Sequence, residues 1–290
     1  MKSLFKLYAI LLNLFPRAWV RAGGAIFGWL WFDVFRVRRH LVLENLKIAF
    51  PEMSYSERLN LARKSMAILG GNLSEVFLVP AMNQKWVDEN VVFHGLEHIQ
   101  EAQSNKKGFY LLGMHLGNGD VMASALVLKG IPVQLITKVF KNKFLNDIWF
   151  SIRGAQGVQF IDAHGKNTAF EVLKGLRSQN AVVFVLDQYM GKPYGIETTF
   201  FGKKTGSAYG LALFYQKTKA PILTVYAYQG SDQKMHLCID PPLNMDHLLK
   251  ENREENNLLL TQAFCDKIEE VIKKHPQEWL WLHRRWKDYR

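Results

Sequence analysis

The chain has few of the residues on which small secreted folds and metal clusters depend. Cys238 and Cys265 are its two cysteines among 290 residues. This count excludes a disulfide scaffold and a cysteine zinc cluster, and it makes a reduced compartment the default expectation. His94 and His98 are four residues apart, but Gly95 lies between them and the sequence offers no evident third ligand. We therefore predict no metal site.

Several catalytic motifs are missing as well. The sequence has no phosphate-binding loop and no Gly-x-Ser-x-Gly elbow, and neither cysteine has the surroundings of a nucleophile. The glycines after His115 do not form a dinucleotide fingerprint, because Met122 stands where the third glycine belongs. The common signatures of nucleotide binding and of a serine or cysteine nucleophile are thus absent.

Positive charge is abundant, but it is concentrated at the two ends of the chain. The net charge is +11, with eight basic and two acidic residues in 1–47 and six basic and two acidic residues in 273–290. The body between these ends is nearly neutral. A nucleic-acid-binding protein would more often spread its charge over the body. Basic, aromatic ends favour an anionic membrane surface as the partner instead, and not nucleic acid.

No apolar run has the length of a transmembrane helix. Residues 7–16 and 22–32 are mostly apolar, but both are shorter than the roughly 18–20 residues that a span requires. Aromatic residues suited to the headgroup zone and a basic cluster accompany these runs: Trp19, Trp29, Trp31, Arg36, Arg38 and Arg39. We predict that residues 1–40 form helices lying in a membrane interface. A buried helical pair and a single tilted span are the alternatives.

After Pro80, short apolar runs alternate with amphipathic stretches. The runs that predict strands are residues 91–93, 108–114, 133–136, 158–161, 181–186, 222–228 and 235–239. Helical patterns fill most of the intervals, which predicts an α/β fold with a mostly parallel central sheet flanked by helices. The last two runs are joined by a short link that contains the turn residues 229–232, so these should form an antiparallel hairpin. Ligands of such sheets bind at the carboxyl ends of strands.

The run 108–114 ends in His115, and Asp120 follows five residues later. This spacing does not bring two side chains together on an uninterrupted helix. Gly117 and Gly119 permit a tight turn, through which Asp120 can fold back toward the imidazole. A carboxylate on one ring nitrogen leaves the other as a general base. The alternative is that Asp120 caps the next helix and that His115 is structural.

A second strand end also carries polar residues. Asp187 and Gln188 follow the run 181–186, and a loop with Phe201 and Gly202 comes next. Residues 203–207 should lead into a helix whose N-terminus could accept an anion. This stretch is either part of a site or a well-formed loop. Arg153, near a glycine-rich turn, is either a site residue or an ordinary surface arginine.

The C-terminal residues 275–287 mix tryptophans with basic residues. If they form a helix, it could cover the core with its aromatic side chains and leave a basic tip in solvent. Alternatively, Arg284 and Arg285 form a pair directed at a phosphate or carboxylate, which guanidinium groups bind with two parallel hydrogen bonds.

Three segments carry a resemblance to a known family. They are Asn45-Leu-Lys-Ile-Ala-Phe50-Pro51-Glu52-Met53-Ser54, His115-Leu-Gly-Asn-Gly-Asp120 and His275-Pro-Gln-Glu-Trp-Leu-Trp281-Leu-His-Arg-Arg285-Trp-Lys. In this order they resemble the late acyltransferases of lipid A biosynthesis, the lauroyl and myristoyl transferase family within the glycerolipid-acyltransferase-like superfamily. The resemblance extends from about residue 5 to the C-terminus. Many lipid A members carry Glu where this chain has Asp120; the shorter acid is normal in the wider superfamily.

The resemblance implies a membrane-associated O-acyltransferase with an anchor over 1–40 and a catalytic domain over 41–290. It would transfer a fatty acyl chain from acyl carrier protein, or from coenzyme A, to a hydroxyl of an anionic lipid A precursor. The expected location is the cytoplasmic face of the bacterial inner membrane, and no cofactor is needed. His115 would be the general base and Asp120 would orient its ring. The expected substrate contacts are Asn118, Arg153, Asp187, Gln188, Phe201, Gly202, Arg284 and Arg285.

Two rival interpretations remain open. The same chemistry could serve a lysophospholipid, an ornithine lipid or another glycolipid. The chain could also be a non-catalytic peripheral membrane-binding protein that has kept the scaffold.

Overall fold

The computed structural model describes residues 11–104 and 108–290, and its N-terminal part is helical. The helices are α1 Arg17–Trp29, which continues through a π-helical turn Leu30–Val34, α2 Arg39–Ala49 and α3 Tyr55–Glu75, which ends in a 3-10 turn Val76–Ala81. Ser54 Oγ accepts the N–H of Glu57, and the Glu57 carboxylate accepts the N–H of Ser54. This capping box explains why α3 begins after Ser54.

From residue 84 onward, helices and strands alternate. The elements are α4 Gln84–Asn90, β1 Val91–His94, α5 Leu96–Ser104, β2 Phe109–Gly113, α6 Gly119–Leu128, β3 Val133–Thr137, α7 Lys143–Arg153, β4 Gln159–Asp162, α8 Thr168–Arg177, β5 Ala181–Val185, β6 Gly195–Phe200, β7 Lys203–Ala208, α9 Gly210–Thr218, β8 Ile222–Gln229, β9 Met235–Ile239 and α10 Arg253–Lys274. All seven predicted apolar runs are strands. Strands β6 and β7 were not predicted.

The central sheet has the order β1-β9-β8-β2-β5-β3-β4 in the described part of the chain. Strands β8, β2, β5, β3 and β4 run parallel to one another. β8 and β9 pair antiparallel as the predicted hairpin, and β1 is parallel to β9. The α/β fold with a mostly parallel sheet is therefore confirmed. Since the carboxyl ends of parallel strands share one edge, residues after β2 and β5 become neighbours there.

Strand β2 lies in the middle of this sheet and is buried on both faces. Phe109 and Leu111 belong to the hydrophobic cluster on one face, whereas Tyr110 and Leu112 belong to the cluster on the other. Side chains alternate between the two faces of a strand, so a wholly apolar run fits a strand covered on both sides. This rigid strand supports the turn that follows it.

Helix α1 packs against α3 at a distance that only glycine allows. A Cβ on Gly24 would lie 2.3 Å from the carbonyl oxygen of Gly70, and a Cβ on Gly28 would lie 2.0 Å from that of Met66. The opposite side of this segment exposes large apolar residues: Leu14, Phe15, Trp19, Ile26, Phe27, Trp29, Val34 and Phe35. No helix among the described residues is both long enough and apolar enough to cross a membrane. Residues 1–10 of the predicted interfacial segment lie outside the described residues.

Two local patterns differ from the expectation. Residues 203–207 form strand β7, which pairs with β6 as an antiparallel hairpin in full register, and the expected helix, α9, follows from Gly210. Residues 275–287 are not a helix beyond the short 3-10 turn Pro276–Glu278. They run as extended chain, and Leu116 bridges to Trp279. Pairing with other segments therefore overrides the local pattern in both places.

Candidate active site

His115 and Asp187 meet at the carboxyl edge of the sheet. His115 follows β2, Asp187 follows β5, and these two strands are hydrogen-bonded neighbours. The Nδ1 of His115 lies 2.9 Å from Oδ1 of Asp187, and the backbone N–H of His115 donates to Oδ2 at 3.0 Å. Asp187 is buried, whereas the His115 side chain keeps 42% exposure. One ring nitrogen is thus bound to a buried carboxylate, and the imidazole remains accessible.

The C-terminal segment holds Asp187 from the other side. The indole Nε1 of Trp279 donates to Oδ2 of Asp187 at 2.7 Å. The N–H of Leu280 donates to the carbonyl of His115 at 3.0 Å, and the N–H of Gly117 donates to the carbonyl of Glu278 at 3.1 Å. The segment therefore fixes both members of the pair and the turn between His115 and the next helix.

The charges of this pair favour the ionised forms. The surrounding protein would by itself lower the pKa of His115, but the adjacent Asp187 carboxylate outweighs it, so the pKa is raised above the usual 6.5. Burial would raise the pKa of Asp187, yet His115 and the indole N–H of Trp279 together lower it. Asp187 is therefore a carboxylate that stabilises an imidazolium at its side.

Asp120 does not occupy the position that the sequence predicted. Its Oδ1 accepts a hydrogen bond of 2.6 Å from Nε of Arg153, while Nδ1 of His115 is bound to Asp187. Asp120 is the second residue of α6 and Arg153 is the last residue of α7, so their ion pair joins two helix ends. The predicted Asp120–imidazole contact is thus wrong. Asp120 still lies close enough for its charge to contribute to raising the pKa of His115.

Asn118 was expected to contact substrate, but its side chain is buried and engaged. Its Oδ1 accepts the N–H of Val121 and so caps α6. Its Nδ2 donates to the carbonyl of Asn72 at 3.1 Å and to Oε2 of Glu75 at 3.0 Å. Gly117, just before it, has φ +70°, and a Cβ there would lie 2.0 Å from the carbonyl oxygen of Ala227. Both residues therefore shape the turn.

Two cavities meet at His115 and Arg153. The first, about 390 Å³, is lined largely by apolar side chains, among them Leu69, Val76, Met122, Leu126, Val133 and Trp149. The second, about 660 Å³, has a more polar wall that includes Thr137, Lys138, His164, Gln188, Tyr194 and Tyr209. The Nε2 of Gln188 lies 3.2 Å from Nε2 of His115. The first cavity, the apolar cavity, thus presents a largely apolar surface to the imidazole, and the second, called the polar cavity below, presents a mixed surface on which these polar side chains lie among apolar ones.

The remaining predicted contacts lie elsewhere. Phe201 and Gly202 form the turn of the β6–β7 hairpin, where the Phe201 ring packs against Phe50 and Trp286. Arg284 is exposed. Arg285 is fully buried, and its guanidinium donates to the Gly206 carbonyl at 2.7 Å and to Ser207 Oγ at 2.6 Å. A phosphate-binding role for Arg285 does not fit this burial, because its hydrogen bonds stabilise β7.

The three sequence segments that carried the resemblance come together in space. The Nδ2 of Asn45 donates to the carbonyls of Trp281 at 2.7 Å and His283 at 2.8 Å. The same C-terminal segment binds the turn after His115, as described above. Segments far apart in sequence are therefore joined around one site.

A family model of bacterial lipid A biosynthesis acyltransferases matches residues 2–288. The chain belongs to this family. Among the described residues, no group of three or more His, Cys, Asp or Glu side chains could hold a metal ion. The family supports an acyltransferase role in lipid A biosynthesis for this chain. The converging segments thus surround the candidate site of a member of this family.

Curated proteins similar to this chain include lipid A acyltransferases and mannoside acyltransferases. The lipid A biosynthesis palmitoleoyltransferase of Escherichia coli K12 is 23% identical, and the match covers 94% of this chain and 93% of the relative. The lipid A biosynthesis lauroyltransferase of the same strain is 24% identical over 86% of this chain and 79% of the relative. A phosphatidylinositol mannoside acyltransferase of Mycobacterium tuberculosis is 25% identical over 77% and 69%.

Sequence reasoning missed which carboxylate binds His115. Asp187 was identified as a site residue, but the pairing depends on β2 and β5 being neighbours, although the 67 residues 114–180 lie between Gly113 and Ala181. Strand order is not encoded in any local pattern. A usable signal was that both residues directly follow strands of the same parallel sheet, whereas Asp120 begins a helix. No comparable signal pointed to the indole of Trp279 as a partner of Asp187.

Proposed function

We propose that this acyltransferase moves a fatty acyl group from the thioester of acyl carrier protein to a hydroxyl of a lipid A precursor at the cytoplasmic face of the inner membrane. The observation that carries this proposal is the His115–Asp187 pair, standing where an apolar and a polar cavity meet. An acyl transfer requires a base between a hydrocarbon site and a polar acceptor site, and this arrangement supplies one.

The proposed reaction begins at the imidazole of His115. Its Nε2 takes the proton of the acceptor hydroxyl, and the oxygen attacks the thioester carbonyl carbon to give a tetrahedral intermediate. Asp187, hydrogen-bonded to Nδ1, orients the ring and stabilises the imidazolium that forms. The C–S bond then breaks, the imidazolium returns its proton to the leaving thiolate, and the ester is released. No covalent enzyme intermediate is involved.

Arg153 supplies positive charge near the reacting carbonyl in this scheme. It lines both cavities together with His115, and Asp120 holds its Nε. A fixed cation beside a developing oxyanion stabilises the transition state more than the ground state. Asp120 therefore acts in this proposal by positioning Arg153, a role different from the one its spacing suggested.

The two cavities receive different parts of the substrates. The apolar cavity suits the acyl chain, because its walls are mainly aliphatic and aromatic side chains. The polar cavity suits the acceptor, since Lys138 and His164 can meet its anionic groups and the tyrosines can contact its sugars. Both ligands then meet at His115, where the acceptor hydroxyl can attack the face of the thioester carbonyl.

Membrane association in this proposal rests on exposed apolar surface. Trp19 is 67% exposed and Trp29 is 51% exposed, both on the side of α1 that faces away from α3. A second exposed apolar group lies in the β3–α7 segment, whose Lys138 lines the polar cavity: Val139, Phe140, Phe144 and Leu145. Lys141 and Lys143 accompany it. Apolar residues interleaved with lysines suit an anionic bilayer surface.

The proposal is tested by transfer assays with purified protein. Acyl carrier protein thioester and coenzyme A thioester are compared as donors with a lipid A precursor, and the acylated product is identified by mass spectrometry. His115→Ala should lower turnover by about 10²–10⁴-fold. His40→Ala is the matched control, because His40 is 92% exposed and belongs to α2. Turnover by His115→Ala close to that of the control would refute the mechanism.

A second candidate acceptor is a mannosylated glycolipid. The mycobacterial phosphatidylinositol mannoside acyltransferase matches this chain at an identity similar to that of the lipid A enzymes. Side-by-side assays with both acceptors decide between them. Transfer to the mannoside without transfer to the lipid A precursor would select this second function.

A further inference from the structure

Glu75, the last residue of α3, places a fully buried carboxylate beside the turn that carries His115. Its Oε1 accepts Nε of Arg17, and its Oε2 accepts Nη1 of Arg21 at 2.7 Å. Both arginines belong to α1, the helix that exposes the apolar face. The carboxylate thus joins α3 to α1 through two charged hydrogen bonds.

The same carboxylate also reaches the catalytic turn. Its Oε2 accepts Nδ2 of Asn118 at 3.0 Å. Asn118 lies between His115 and Asp120, and its Oδ1 caps α6, the helix that carries Asp120. The Glu75 side chain therefore links α1 to the segment that carries His115 and Asp120.

Further bonds fix the arginines to the body. The Nη2 of Arg17 donates to Oε1 of Gln229 at 2.9 Å, at the end of β8, and Nη1 of Arg21 donates to Oδ1 of Asn72 at 2.9 Å. Burying charged groups costs desolvation free energy, and well-packed apolar residues often replace a buried ion pair without loss of stability. Stability alone therefore gives little reason for this cluster.

We propose that Glu75 is a positioning residue, which holds Asn118 and thereby the turn from His115 to Asp120 in the geometry that acyl transfer needs. Arg17 and Arg21 hold Glu75 in turn, so docking of α1 and order in the catalytic turn depend on each other. This inference rests on the proposed role of His115 as the base. A misplacement of about 1 Å in a catalytic group can cost about 100-fold in rate.

The test separates positioning from stability with two variants. Glu75→Gln keeps the shape and removes the charge. The triple variant Arg17→Met, Arg21→Met, Glu75→Met replaces the cluster by apolar side chains, and we expect it to fold with a Tm near that of the wild type. Both should lower kcat by about tenfold or more while the donor KM stays within about threefold, because the apolar cavity is unchanged.

Asp33→Asn is the matched control. Asp33 ties the same N-terminal segment to α3 through Arg63 at 2.9 Å and is also bonded to Arg39, but these bonds do not involve the catalytic turn. We expect Asp33→Asn to lower the Tm and to leave kcat within about twofold. A fall in kcat equal to that of Glu75→Gln would show that any loosening of the N-terminal segment suffices, and would overturn the specific role of Glu75.

A double-mutant cycle tests the route through Asn118. If Glu75 acts through Asn118, then Glu75→Gln and Asn118→Ala should be non-additive in kcat, and the double variant should resemble Asn118→Ala alone. Additive losses would mean that Glu75 acts by another route. Should the triple variant fail to fold, Arg21→Lys takes its place, since it keeps the charge and alters only the hydrogen-bond geometry.

Amide hydrogen exchange of residues 114–122 gives a readout independent of activity. Faster exchange there in Glu75→Gln, but not in Asp33→Asn, supports the inference even if the wild type transfers no acyl group, in which case the proposed function alone fails. Unchanged exchange in the folded Glu75 variants, together with kcat within about twofold of the wild type, would overturn the inference.

Discussion

The two ends of the chain have similar compositions, and the fold uses them in opposite ways. Residues 11–38 and 275–290 are both rich in tryptophan and arginine. At the N-terminal end Trp19 and Trp29 are exposed, while Arg17 and Arg21 are turned inward onto Glu75. At the C-terminal end the tryptophans are inside: Trp279 and Trp281.

This difference shows that composition does not decide which side of a segment is buried. The N-terminal segment is a helix packed on one neighbour through glycines, so its other face stays outside. The C-terminal segment is extended chain, threaded between α3 and the turn after His115. Its carbonyls accept hydrogen bonds from Nδ2 of Asn45 and Oγ of Ser65, so both of its sides are occupied. Aromatic residues therefore lie on the surface at one end and beside the candidate active site at the other.

The largest effect is expected at Asp187, the buried carboxylate that accepts a hydrogen bond from Trp279 of the C-terminal segment. Asp187→Asn should lower kcat by about 10²–10⁴-fold, because the amide cannot stabilise the imidazolium. The pKa of His115 is raised in the wild type, so activity should rise with pH through an apparent value above 6.5. Asp187→Asn removes the carboxylate charge and leaves burial, which lowers the pKa of His115. The rise of activity with pH, the acidic limb of the profile, should therefore move to lower pH. A pH–rate profile measures both.

Asp120→Asn is the comparison for this experiment. Its carboxylate binds Arg153 rather than His115, so the loss should be smaller and the acidic limb should move less. If Asp120→Asn moved the limb further than Asp187→Asn, the carboxylate that governs His115 would be Asp120, and the assignment of Asp187 would be wrong.

The buried arginine of the C-terminal end should matter for folding. Arg285→Lys loses the fork that bonds Gly206 and Ser207 and the guanidinium contact 4.4 Å from the Phe200 ring centroid. A lysine ammonium lacks the planar fork of the guanidinium and cannot make both of these hydrogen bonds in the same geometry. We expect the free energy of unfolding to fall by about 2–4 kcal/mol, measured by urea titration.

Arg284→Lys is the neighbouring control, since Arg284 is exposed and should change the free energy of unfolding by less than about 0.5 kcal/mol. A raised acceptor KM in Arg285→Lys, with unchanged stability, would instead restore the anion-binding role that the sequence suggested for the arginine pair.

A smaller effect is expected for the indole that binds Asp187. Trp279→Phe keeps most of the apolar volume and removes the N–H donated to Oδ2. A hydrogen bond to a charged group contributes about 1.5–3 kcal/mol, and the His115 N–H still holds the same oxygen. We therefore expect kcat to fall about tenfold with little change in either KM. A kcat equal to that of the wild type would show that Trp279 only fills space.

The sequence was sufficient to locate the seven strands of the central sheet, though not their order, because each strand is locally encoded. Each apolar run is bounded by turn residues, and the short link 229–232 required a hairpin. The β6–β7 hairpin escaped because its strands are polar, with Thr198 and Thr205 facing a buried polar cluster instead of a hydrophobic core. A search for apolar runs detects strands that face a hydrophobic core, and it misses strands that face a polar cluster.

The site was predictable only in part, for a related reason. His115 was found because it ends a buried strand. Its partner depends on strand order, and the buried Glu75 depends on helix packing, and neither leaves a local pattern. Arg285 was misjudged because an arginine in a basic tail is usually solvated, whereas here it is fully buried and hydrogen-bonded to β7.

The exposed tryptophans of the N-terminal end give the last and smallest expected effect on the protein itself. The double variant Trp19→Ala, Trp29→Ala should change the free energy of unfolding by less than about 0.5 kcal/mol, because both side chains are largely in solvent. Its partition onto vesicles of anionic phospholipid should weaken by about tenfold or more, since burying a large apolar side chain is worth roughly 1.5–3 kcal/mol.

Phe170→Ala is the control, because Phe170 is 66% exposed on α8. Vesicle sedimentation of the three proteins at one salt concentration measures the difference. Equal partition of the double variant and the wild type would mean that this aromatic face does not meet the membrane, and the contrast between the two ends would then need another explanation.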